Sequence, residues 1–466
     1  MFSLLILSLL FPGANTNNDL ETVKQHFQCD PKCTFNHSVI TSNTISFFPK
    51  CEEVCGILVV NSETDLFETE LREVLKTMRT LFGGLVIENS RLESLSIFPS
   101  GKINFFCETY GFFIRNNSLL TDINILNWFF MWGNDNYEEC QFRIENNPKL
   151  DTSLLSSNGY TSTYLDVKTE GNLKECGCRG DELLTADPKR YNNCGTFFGG
   201  FQLNGSIGNF DLSLLSNITT IKGLVNIDNS DLEDLSFLKS FRLFHIKNVG
   251  FPDKITLNLR NNPKMKRLGL PSFWNFQYSW AYNRIADFEN LHWDFCVTFE
   301  EMVRFLENQM FFMNIHAKYC EETGFLYGNL LCTFDGMSSL MNNCYSIVGN
   351  VEVKSGDEQY VSKLKTVYQV FGTVKIDGTN LTDLSFLSGL RYIASLDESL
   401  PAIRISSNKG LKNASLPALT TIITRGKQFA VLENNHPDQF NTSEFYKLFP
   451  KFQSRAKYFS DRYFSK

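Results

Sequence analysis

Apolar and polar residues alternate in short runs along this chain, and most runs end at an Asn or a Gly. FRIENNPKL (142–150), LNLRNNPKM (257–265), IRISSNKGL (403–411) and FAVLENNHP (429–437) are four of them. Alternation with a period of two describes a strand that turns one set of side chains inward and the other outward. The turns after these strands are rich in paired Asn: Asn116-Asn117, Asn146-Asn147, Asn261-Asn262 and Asn434-Asn435. An Asn side chain bonds the backbone groups that such a turn leaves unpaired. Stacked coils therefore predict a ladder of Asn residues. The spacing Leu-x-Leu-x-x-Asn-x-x-Leu, recurring every ~25–30 residues, belongs to leucine-rich and β-helical coils.

A longer repeat encloses the short one. Gly83 opens GGLVIENSRLESLSIF, Gly223 opens GLVNIDNSDLEDLSFL and Gly372 opens GTVKIDGTNLTDLSFL. Ile87, Leu92, Leu95 and Phe98 in the first run fall at the offsets of Ile227, Leu232, Leu235 and Leu238 in the second. Ile376, Leu381, Leu384 and Leu387 match them in the third. The repeating object is a whole domain, occurring three times. The helical periods fit the same frame. Segments 65–78 and 356–369 have apolar residues at helical spacing shortly before the Gly turn, and NTSEFYKLF (441–449) is a further candidate. Segment 296–310 carries Val297, Met302, Val303, Phe305, Leu306 and Met310 on one stripe, with Thr298 and Glu301 spaced as a capping box.

Each unit opens with a Cys and a Gly: Cys51-x4-Gly56, Cys194-x5-Gly200 and Cys344-x4-Gly349. With the Gly…Ile…Leu…Leu run and the Asn-rich rungs that follow, this resembles the receptor L domain of insulin-receptor and epidermal-growth-factor-receptor ectodomains. The resemblance spans about residues 29–455 and implies a mainly β fold of three tandem right-handed β-helical L domains with flanking helices. It assigns residues 29–180, 194–332 and 344–455 to the three domains. No furin-like cysteine-rich module fits the short gaps between them, and no kinase follows. The chain is in this respect similar to the secreted multi-L-domain proteins of nematodes.

Composition sharpens the picture. Hydrophobic residues make up 42% of the 466, including 43 Phe, which is ample for three cores. A net charge of −7 argues against nucleic acid as a partner. Residues 1–14, MFSLLILSLLFPGA, form an apolar run too short to span a bilayer and suited to a signal peptide. No later run is long enough to span either, so the expected protein is secreted and extracellular. Seven Asn-x-Ser/Thr acceptors agree with that route: Asn36, Asn116, Asn204, Asn217, Asn380, Asn413 and Asn441.

Thirteen cysteines in an oxidising compartment are expected to form disulfides. Cys29, Cys33, Cys51 and Cys55 precede the first unit; Cys176, Cys178 and Cys194 lie between the first and second. Cys296, Cys320, Cys332 and Cys344 lie between the second and third, while Cys107 and Cys140 fall mid-unit as a candidate pair. Their expected role is to staple the open ends of the coils, where strand edges are unpaired. The odd number leaves one thiol free or able to join two copies. Neither Cys-x3-Cys nor Cys-x-Cys is a zinc spacing, so no metal or other cofactor is expected.

No nucleophile elbow, metalloprotease motif, P-loop or dinucleotide fingerprint occurs, and the six His are scattered. A β-helical polysaccharide hydrolase or lyase would need carboxylates grouped on one sheet face. DLEDL (231–235) and ESL (93–95) do not supply them in register, and the chain reads as a non-enzyme. The resemblance implies a polypeptide partner, either an insulin-like or growth-factor-like peptide or a receptor ectodomain. In those receptors ligand sits on a sheet face of the first L domain. The matching outward positions here are Arg115, Arg143 and Glu145, alternating with inward Ile114, Phe142 and Ile144. An adhesive or matrix solenoid is the competing role. The basic, aromatic tail at 456–466 would then touch a membrane surface or a sulfated glycan.

Overall fold

The computed structural model describes residues 16–106, 111–132, 141–153, 155, 166–175, 177–185, 187–191, 194–246, 255–278, 284–320 and 325–436. The proposed signal peptide, the segment 441–449 expected to be helical, the tail, Asn441, Cys107, Cys140 and Cys176 lie outside them. The described chain is mainly β, and its strands stack as parallel ladders. In the first unit, the strand Thr80–Glu88 serves two ladders. Thr80–Phe82 pairs with Asn104–Phe106, and Leu85–Glu88 pairs with Phe112–Arg115, all parallel. The second unit separates the ladders into two five-stranded sheets, and the third keeps the same two-sheet plan.

The recurrent Gly marks the corner between the sheets. Gly83 and Gly223 have φ of +134° and +125°, where a side chain is strained. A Cβ on Gly83 would lie 2.3 Å from the carbonyl oxygen of Gly56, and one on Gly223 would lie 2.5 Å from the Gly200 nitrogen. The corner glycines of successive coils therefore stack directly on one another. This explains why each unit opens with one Gly and carries a second in the following coil.

The other corner belongs to Asn. Asn116, Asn146, Asn261 and Asn434 turn the chain with φ between +55° and +57°, a conformation Asn tolerates better than other side chains. The residue after each turns inward. Asn117 Nδ2 donates to the Ile87 carbonyl, and its Oδ1 accepts from Ser90 N and Oγ. Asn147 Oδ1 accepts from Asn117 N and Nδ2, and Asn172 Oδ1 accepts from Asn147 in the same way. The motif recurs with Ser230 on Asn262, and with Thr379 on Asn408 and Asn408 on Asn435. Asn117, Asn147, Asn262 and Asn408 are fully buried.

Inward residues fill each coil. Phe112, Ile114, Phe142 and Ile144 are buried together, with the Phe112 and Phe142 rings stacked 4.9 Å apart. The helices close the coils. Helix α1 (Thr16–Phe27) is an element the periodicity passed over, although Leu20, Val23 and Phe27 share one face. Helix α2 (Glu68–Leu75) lies within the segment expected to be helical, and Glu70 Oε2 accepts from Phe67 N at its start. Helix α3 (Phe299–Glu307) has the capping box its sequence suggests: Glu301 N donates to Thr298 Oγ1 and Thr298 N to Glu301 Oε2. The segment at 356–369 departs from expectation. It forms a 3-10 helix over Glu358–Leu364. With a rise of about 2.0 Å per residue against 1.5 Å, the tighter helix lets so short a link cross further between rungs.

Cysteines sit where the coils end. Cys29–Cys55 ties the end of α1 to the first strand, and Cys33–Cys51 adds a second link there. Cys178–Cys194 lies between the first two units; Cys296–Cys320 and Cys332–Cys344 flank the junction of the second and third. At that junction α3 is shared. Tyr319 Oη donates to the Ala394 carbonyl and Thr421 Oγ1 to the Leu306 carbonyl. Phe299 packs against Phe371 at 4.7 Å.

Replacing Asn147 or Asn408 with Ala strands several buried backbone groups at once. Each substitution is expected to remove about 2–3 kcal/mol of stability, read from urea unfolding. Loss of less than ~0.5 kcal/mol, the range of ordinary surface changes, would mean that the ladder is not what holds the corner.

Candidate ligand-binding face

The outward side chains of the first unit's second ladder form two columns across its rungs. Register places Glu88, Arg115, Glu145 and Glu170 in one column and Val86, Phe113, Arg143 and Lys168 in the next. Period-two alternation puts all of them on the face away from the buried Phe112, Ile114, Phe142 and Ile144. Helix α1 covers the first coils, laying Leu20, Val23 and Phe27 over Ile57, Val59, Phe82 and Val86. The open part of the face therefore begins at Phe113.

Arg115, Arg143 and Glu145 are brought together on this face, but they are half-buried and not freely solvated. Arg115 Nε lies 3.1 Å from Glu145 Oε2, and its guanidinium stacks 4.4 Å over the Phe113 ring. Glu145 also faces Lys168 at 3.6 Å, which leaves its side chain only 15% exposed. Lys168 continues to Glu170 at 3.0 Å, and Arg190 joins Glu170 at 3.3 Å. Burial by itself pulls the Lys168 ammonium down, yet the Glu170 and Glu145 carboxylates outweigh that and hold it above its usual range. Arg143 donates to the carbonyl of Phe142. Reading the sequence missed Phe113, Lys168 and Glu170. Their signal was the same alternation carried one strand further, in FFIR and DVKTE.

The other units repeat the device. In the second, Arg260 reaches Glu289 at 3.0 Å and Asp287 at 3.6 Å. Burial pushes the Asp287 carboxyl up, opposed by the Asn314 amide and by Arg260. In the third, Lys375 bridges Glu352 and Asp377, and Arg404 pairs with Glu433. All three faces thus carry charges of both signs in cross-strand register. Such faces suit recognition of another polar surface. Among the described residues no three His, Cys, Asp or Glu side chains are grouped to hold a metal ion.

The model of the receptor L-domain family matches residues 50–158, 193–308 and 343–447. The chain belongs to the receptor L-domain family. No curated protein matches it. Receptor L domains are ligand-binding, non-catalytic modules, so a receptor-like binding role follows from the family. The disulfides accord with an extracellular setting. Among the described residues no helix is long and apolar enough to cross a membrane. The sequon residues Asn36, Asn116, Asn204, Asn217, Asn380 and Asn413 are all exposed. Asn116 is so although it belongs to a rung, because the following Asn117 is the one that turns inward.

One titratable group outside the faces is buried without a partner. His245 is 5% exposed, and its Nε2 has no hydrogen-bond partner among the described residues. Burial, helped by the nearby Lys222 charge, pushes its pKa down to about 4 from 6.5. The unfolded chain takes up this proton near pH 6.5 and the folded protein only near 4. The stabilisation is therefore complete above pH 6.5 and falls away as the pH drops between the two values. Its full size is on the order of 3 kcal/mol. Urea unfolding across that window is expected to show a pH slope that His245→Gln removes; an unchanged slope in the variant would assign it elsewhere.

Proposed function

We propose that this protein is a secreted, glycosylated and non-enzymatic binding protein. Its ligands are insulin-like or growth-factor-like peptides, or the receptors that recognise them, and binding modulates that signalling. Three right-handed β-helical L domains at 29–180, 194–332 and 344–455 form its frame. The single observation that carries this reading is the threefold match to a ligand-binding domain family. The charged outer face of the first unit supports a polypeptide ligand. Phe113 supplies apolar area there, and Arg143 and Lys168 stand beside it with Glu145 and Glu170. The apolar leader at 1–14, the stapled coil ends and the exposed sequons support an extracellular route.

Biolayer interferometry of the glycosylated protein against insulin-like and growth-factor-like peptides and their receptor ectodomains tests this. Saturable binding is expected to at least one of them, weakened about tenfold by Arg143→Glu. A blank across the panel with folded, monodisperse protein would overturn the growth-factor assignment. Glycosylation has its own test, since peptide N-glycosidase treatment should lower the intact mass and convert occupied sequon Asn residues to Asp. An unchanged mass would show the sequons to be unused.

A further inference from the structure

On the second unit, away from the charged face of the first, a cavity of about 790 Å³ opens beside the N-terminal half of α3. Its volume lies within the ligand-sized range of about 300–1,000 Å³. Arg242, Arg267 and Arg304 all contribute to its lining, together with Trp274 and Tyr327. The Arg304 guanidinium is held between two rings, 4.3 Å from Trp274 and 5.0 Å from Tyr327. Glu307 pairs with it at 3.0 Å. Arg242 and Arg267 are exposed and form no salt bridge among the described residues. Arg267 lies close enough to the buried Glu301 carboxyl of the same lining to favour its charged form, while both guanidinium groups stay open to solvent.

The rim is apolar. Trp274 is 65% exposed, and Tyr327 sits at the turn of the hairpin formed by Phe325–Leu326 and Asn329–Thr333. Phe325 and Leu330 on that hairpin are 63% and 44% exposed. Trp, Tyr and Arg are the side chains that most often dominate binding energy at protein interfaces, and exposed apolar patches rimmed by polar groups mark such interfaces. Asp234, Glu300 and the buried Glu301 lie in the same lining. These carboxylates would repel the closely spaced charges of a sulfated polysaccharide, whereas a polypeptide can place one acidic group against the arginines and avoid them.

We propose that this cavity is a second polypeptide-docking site. It takes a segment in which an acidic side chain, set against Arg242 and Arg267, neighbours an aromatic or large aliphatic one stacked on Trp274. The site is independent of the first unit's face, so either can fail without the other.

The test is fluorescence anisotropy with the full glycosylated protein. The probes are a labelled soluble peptide carrying a Phe flanked by Glu residues, its Lys-for-Glu counterpart, and a labelled heparin oligosaccharide. The acidic peptide is expected to bind saturably and the basic one not to. Trp274→Ala and the double variant Arg242→Ala/Arg267→Ala should each weaken binding about tenfold or more. Arg143→Glu should leave it unchanged. These side chains are exposed, so thermal unfolding should be unaltered in the variants. Absence of binding by the acidic peptide, equal binding to all variants, or heparin binding that Trp274→Ala abolishes would each overturn the proposal.

Discussion

A parallel coil has to turn its chain at every corner without leaving buried amide groups unpaired, and the rest of this structure depends on how that is met. At one corner the solution is a residue in the left-handed region followed by a buried Asn. One Asn side chain receives two bonds from the rung before it and donates to a carbonyl of that coil. Each Asn thus satisfies the rung beside it, and the ladder works only when the coils are stacked. The ladder starts in each unit at Ser90, Ser230 or Thr379, because a hydroxyl can donate to the next Asn without needing a neighbour of its own. At the opposite corner the constraint is steric, and stacked glycines meet it.

A stack of coils still has two ends. Unpaired strand edges and apolar surface would be exposed there if nothing covered them. Helix α1 lies over the outer face of the first coils and is held by Cys29–Cys55. Helix α3 closes the second unit, where Asn308 at its C-terminal end accepts from Phe276 N on the edge strand. The same helix then presents Phe299 and the Leu306 carbonyl to the third unit. One element thereby ends a solenoid and forms a junction.

The outer faces follow a different logic from the corners. Opposite charges on each face pair across, diagonally or along the strands, so Glu145 answers both Arg115 and Lys168, and Lys375 answers Glu352 on the next strand and Asp377 on its own. A face neutralised in this way is soluble and open to a polar partner, yet attracts no ligand through net charge alone. Arg242 and Arg267 are different, because they are exposed and neither forms a salt bridge among the described residues.

Much of this was legible in the sequence. The threefold repeat, the two-residue alternation and the Asn turns are local periodicities, and local periodicity is what a linear chain displays. The capping box of α3 was legible for the same reason, as both partners lie within one turn. The 3-10 conformation of Glu358–Leu364 was not, because the length it must cross is set by the coils on either side. The half-buried state of Arg115 and Glu145 was likewise hidden, since they meet across residues far apart in sequence. Sequence by itself therefore determined the coil, its corners and the family. Tertiary structure alone decided that α1 covers the first coils, that α3 joins two units and that Trp274, Arg304 and Tyr327 converge. Those outcomes depend on how whole coils and units pack, and no run of neighbouring residues encodes a contact between surfaces brought together only by stacking.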